Sequence, residues 1–99
     1  MSAPTLDDLK AFLRTLGHDL DESLNLALVA AVAEAEAFIG GQLIELWPDE
    51  APGDVAMAVL LLAQTHADAG TPQEQEYRRT AAQQLLRPHR IGTGLGRVS

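Results

Sequence analysis

Side chains able to do chemistry are few in this chain and widely spaced. Glu34 and Glu36 are the closest carboxylate pair outside the acid runs at the element starts and loops. On a helix, positions i and i+2 point to different sides, so the two cannot flank one substrate as acid and base. They read instead as a solvated edge or a polar contact in an oligomer. His18, His66 and His89 lie far apart, and none has a second histidine or a cysteine at ligand spacing. His66 and Asp68 are two residues apart, a poor geometry for one metal ion. His66 then reads as a polar group ending a helix, and His18 as a cap on helix carbonyls. Gly92, Gly94 and Gly96 follow no strand and open no helix, so they lack the setting of a phosphate loop. With no cysteine, disulfides and thiolate metal sites are excluded. The expectation is a protein with no catalytic residues, no metal and no cofactor.

Ser23 carries one sharper possibility. Glu22-Ser23-Leu24 is similar to the Asp-Ser-Leu motif of acyl carrier proteins, which are also small, acidic and four-helical. In that family the serine at the start of the second helix carries phosphopantetheine. Here the acid is Glu, no Gly-Ala lead-in precedes it, and the first helix is short. Serine is also common in the first turn of any helix, where it competes for backbone amides. An acyl-carrier-like protein modified at Ser23 is the more distant of two alternatives.

The elements that position these residues are helices. Thr5-Leu6-Asp7-Asp8 is a capping box with two acids at the positive end of the helix dipole. Leu6, Leu9, Phe12, Leu13 and Leu16 recur at helical spacing until Gly17 ends the first helix. Asp19 to Glu22 starts a second helix, from about Glu22 to Ile39 or slightly further. Leu24, Leu28, Ala31, Val32, Ala35, Phe38 and Ile39 form its apolar stripe. Ala27, Ala30, Glu34, Ala37 and Gly41 form a second, small-residue face that a neighbouring helix can approach closely. Residues 47–53 read as a loop. Pro52 or Asp54 opens the third helix, which runs to Gly70 and is apolar nearly all round, so it is central in the fold. Thr71-Pro72-Gln73-Glu74 is a further capping box, with Pro at the first helical position. It opens a fourth helix that stops near Leu86, before Pro88. The fold class is all-α, a small four-helix bundle with an extended C-terminal arm: a helical domain over residues 1–87 and a flexible arm over 88–99.

Charge divides unevenly along the chain. Fourteen acids against Lys10 and Arg14 give −12 before Arg78; from Arg78 onward there are five arginines and no acid, +5, which sums to the net −7. The tail after Arg90 holds three alternating glycines and three isolated aliphatics, so it has no core of its own to bury. It reads either as a disordered terminus or as an arm that orders on a partner, with Ile91, Leu95 and Val98 seated in pockets and Arg87, Arg90 and Arg97 meeting acids. An acidic body does not grip nucleic acid by counterion release. The core is rich in Ala and Leu and holds only Phe12, Phe38, Trp47 and Tyr77 as aromatics, so association between copies would add stability. The N-terminus has no signal-peptide pattern, and the apolar runs are shorter than the roughly 20 residues of a membrane span. A soluble, membrane-independent protein is expected.

These pieces, in this order, resemble the small head–tail connector (adaptor) proteins of long-tailed phages and prophages. Residues 5–13 are similar to the family's opening helix, and residues 21–40 to its long second helix, ending in an AxxFIxG-like run from Ala35 to Gly40. Residues 55–66 resemble its apolar third helix. Leu85-Leu86-Arg87-Pro88-His89-Arg90 resembles its closing LLxPYR signature, with His89 where tyrosine is usual. The resemblance covers nearly the whole chain. It implies a virion protein, made in the host cytoplasm, that forms a homo-oligomeric ring of about a dozen copies under the portal protein. The ring continues the DNA channel without sequence-specific binding and presents a surface to the next adaptor, stopper or tail protein. By position, portal contact falls on Leu85, Leu86, Arg87, Pro88, His89, Arg90, Ile91, Leu95 and Arg97. The small face Ala27, Ala30, Glu34, Ala37 and Gly41 suits packing between subunits. Asp49, Glu50 and Asp54 are the candidates to face the channel, where like charge repels phosphate. A generic helical protein-interaction module is the nearer alternative.

Overall fold

The computed structural model describes residues 4–14, 20–67 and 70–91. Gly17, His18, Asp68 and residues 92–99, Leu95 and Arg97 among them, lie outside the described residues. Within them the chain is all-α: α1 (Leu6–Leu13), α2 (Asp21–Ile39), α3 (Leu43–Leu46), α4 (Gly53–Ala67) and α5 (Pro72–Leu86), then a 3-10 turn, Arg87–His89. No strand occurs among the described residues.

Both threonine capping boxes form as the sequence predicts. The Thr5 hydroxyl accepts from the Asp8 amide at 3.2 Å and the Asp8 carboxylate accepts from the Thr5 amide at 2.9 Å. Thr71 and Glu74 repeat the pair at 3.1 and 2.9 Å, with Pro72 in the first turn of α5. The start of α2 differs: its N-cap is Leu20, with no side-chain cap. Asp21 is instead held by Lys10 Nζ at 2.7 Å, which ties α1 to α2.

The first helix is shorter than expected. It stops at Leu13 rather than at Gly17, and Arg14 caps it in the left-handed conformation (φ 58°). The other departure is α3, inside a stretch where sequence offers no clear start signal. Glu36 explains it. The Glu36 backbone carbonyl accepts from Gly40 and Gly41, closing α2, while its side chain accepts from the Leu43 amide at 2.9 Å and opens α3. Gly40 supplies the left-handed cap (φ 93°) between them. A missing α3 signal is thus a capping group seven residues upstream, beyond the span of a local capping pattern.

Helix α4 lies against both α2 and α5, and α1 packs across α2 and α4. Its central place follows from Val55, Ala58, Val59, Leu62 and Ala63, all buried. The facing side of α2 supplies Leu24, Ala27, Leu28, Ala31, Ala35 and Ile39. Alanines recur on both sides of this contact, so the helix axes can lie close. Buried Thr65 spends its hydroxyl on the Leu61 carbonyl four residues back, at 3.0 Å. Leu86, fully buried, fixes the end of α5 in the core.

Candidate partner-binding surfaces

Residues 87–91, which follow α5, stay against the body. Pro88 bends the chain through the 3-10 turn, and the next residues lie on the end of the helix layer. His89 Nε2 is 2.9 Å from Asp54 Oδ2, and the Trp47 ring meets the His89 ring edge-on at 5.4 Å between centroids. The Arg90 guanidinium carbon sits 5.1 Å from the centre of the Phe38 ring. The Ile91 amide donates to the Ile39 carbonyl at 2.8 Å. Gly41 lies close under Ile91: a Cβ there would be 3.0 Å from Ile91 Cδ1, the tip of a side chain that can shift by a few tenths of an ångström. Five residues, from α2, α4 and the two linkers flanking α3, thus form a seat for residues 89–91.

Asp54 sits in the first turn of α4, where the helix dipole favours its charge and where it also accepts from the Val55 amide at 2.8 Å. The hydrogen bond from His89 is the main reason its carboxyl is held below the usual aspartate range; desolvation opposes this, and the Val55 amide adds to it. Asp49 and Glu50, by contrast, are exposed in the loop before α4. They rim a cleft of about 700 Å³ whose wall includes Asp8, Phe12 and Leu60. The three candidate channel acids therefore do not share one setting: two are on the cleft rim and the third holds the chain end.

The small face of α2 is likewise divided. Ala27 is buried inside this chain and Ala30 and Gly41 are half-buried, whereas Ala37 is exposed. Glu34 works within the fold. Arg79 of α5 donates to it twice, at 2.7 and 3.1 Å, and His66 of α4 lies 3.0 Å from Glu34 Oε1. The Arg79 guanidinium holds the Glu34 carboxyl below the usual glutamate range; partial burial opposes this and His66 adds to it. The same bond raises Arg79 further above its already high value. Neither Glu34 nor Glu36 is a solvated edge, because each has an intramolecular task. Arg79 also belongs to the bundle rather than to the basic arm.

The most exposed apolar face lies elsewhere on α2. Leu26 and Val29 are 67% and 63% exposed, and Ala33 and Ala37 continue the same face along the helix. These positions are spaced by three and four residues, directly opposite Leu24, Leu28, Ala31 and Ala35. The spacing that defines the buried stripe also defines this one, so the signal was present in the sequence. Among the expected portal contacts, Leu86 is in the core and Leu85 is half-buried against it. Arg87, Pro88, Arg90 and Ile91 are exposed and His89 is half-buried. Ser23 is exposed in the first turn of α2. No group of three or more His, Asp or Glu suited to a metal ion is present among the described residues, and none of their helices is long and apolar enough to cross a membrane. No family model matches this chain, and no curated protein or solved structure matches it.

Proposed function

We propose that this chain is a non-enzymatic connector subunit that forms a ring beneath the portal of a phage-type capsid and joins head to tail. Helices α1, α2, α4 and α5 act as a four-helix bundle, and copies pack side by side around a channel that passes DNA without reading its sequence. The observation that carries this is the apolar face of α2. Single exposed aliphatics are ordinary, but Leu26, Val29, Ala33 and Ala37 line one side of the longest helix over three turns. Such a face suits contact with another copy. The closing segment supports the same proposal, since residues 89–91 are held against the body at the base of the arm. The arm beyond Ile91, with Leu95 and Arg97, would then reach the portal. Asp49 and Glu50, exposed on the cleft rim, would face the channel.

The test is cryo-electron microscopy of the protein mixed with a phage portal protein from the same source, using the full chain and a truncation ending at Ile91. A connector gives a ring on the portal with the full chain and loses it with the truncation. No ring with either chain overturns the proposal in favour of a generic helical interaction module, which would use the same α2 face. Ending the truncation at Ile91 rather than Arg87 leaves the His89, Arg90 and Ile91 contacts in place, so loss of the ring reports on the arm alone.

A further inference from the structure

We infer that the seat formed by Phe38, Ile39, Gly41, Trp47 and Asp54 also takes residues 87–91 of a second copy, so that neighbouring copies exchange their closing segments. The occupant is already defined by the fold. Every contact described for His89, Arg90 and Ile91 with the seat is made to α2, α4 or the linkers flanking α3, and none to α5, which carries the segment. A segment delivered from another copy satisfies the same set: the carboxylate of Asp54, the Trp47 ring, the face of Phe38 and the Ile39 carbonyl.

The hinge is Arg87. Leu86 before it is fixed in the core, and Pro88 follows it. Arg87 is helical (φ −54°, ψ −43°), whereas the residue before a proline favours extended backbone. An extended Arg87 turns the segment away from its own body, with no change to α5. The closed and exchanged forms then share their contacts and differ mainly at one residue, the condition under which segment exchange is a low-cost route to association. Passed on from copy to copy in one direction, the exchange is a heterologous contact, the kind that closes into rings. The inference deepens the ring proposal by naming what one copy lends the next, yet requires only that copies meet.

The chain has no cysteine, so introduced thiols are unique. Full-length Gly41→Cys and Ile91→Cys are made separately, mixed, and treated with a short bis-maleimide after circular dichroism has shown both to be helical. Cysteines 41 and 91 then lie on different molecules, and only a segment seated across copies joins them. The expected result is a mixed dimer well in excess of either same-variant dimer. A Pro88→Ala change in both partners should lower that excess, since it removes the bias at Arg87. The double variant Gly41→Cys/Ile91→Cys, run alone, should give a ladder of covalent oligomers. If it gives only internally linked monomer while the mixture gives no mixed dimer, the exchange is overturned. Copies that associate by sedimentation yet yield no mixed dimer overturn the exchange and leave the ring proposal to its own test on the portal.

Discussion

Glu34 shows how one side chain can join three helices. It sits on α2, receives two hydrogen bonds from Arg79 on α5 and lies against His66 on α4. Its side chain is 30% exposed, so solvent screens the pair and the net contribution is about 1 kcal/mol. Glu34→Gln should lower the unfolding free energy by about 1 kcal/mol, read as a lower urea midpoint with an unchanged slope. Its lowered carboxyl pKa gives the sign of the acid response. The stabilisation is fully present above the ordinary glutamate value near 4.5 and is lost as pH falls through the lower, folded value. Asp54 behaves the same way from its ordinary value near 3.8. Thermal unfolding followed from pH 7 down to about pH 3 should therefore show a falling midpoint, and the fall should be shallower in Glu34→Gln. Gly70 is the other sensitive residue. Its φ is +60°, and an added Cβ would lie 2.5 Å from Glu74 Oε1, the group that caps α5. Gly70→Ala should cost roughly 1–2 kcal/mol, read by chemical denaturation.

At the level of elements, the alanine-rich contact between α2 and α4 sets what can be changed. Ala35 is fully buried there and Ala33 is exposed on the same helix, two residues away. Ala35→Leu should destabilise by about 1–3 kcal/mol through overpacking, and Ala33→Leu should be close to neutral, both measured by denaturant titration. This contrast follows from helical spacing alone, and so did most of the fold: both threonine caps, the buried stripe of α2, the central place of α4 and the end of α5 at Leu86. Elements fixed by distant partners were not legible. The short α3 depends on Glu36, and the end of α1 on Arg14 taking a conformation usually left to glycine. Glu34 could be seen as a charge on a small-residue face, but its partner Arg79 lies forty-five residues away. The seat for the closing segment was hidden for the same reason. Phe38, Trp47 and Asp54 come from separate parts of the chain, and no spacing rule links them to His89 and Arg90.

For the whole molecule, the exposed face of α2 is the proposed contact between copies. Leu26→Glu combined with Val29→Glu alters only exposed positions, so helicity and unfolding midpoint should stay near those of the parent. Self-association, followed by sedimentation velocity across a concentration series, should fall sharply; unchanged association would exclude this face as the contact between copies. The attachment of residues 89–91 has a further consequence for how the molecule opens. The Ile91 amide is bonded to the Ile39 carbonyl, outside any helix and at the far end of the described chain. Its hydrogen-exchange rate reports release of the closing segment, whereas amides in the middle of α4 exchange only when the core opens. One amide thus separates a local event from global unfolding, and its protection factor is a direct measure of how often the closing segment lets go.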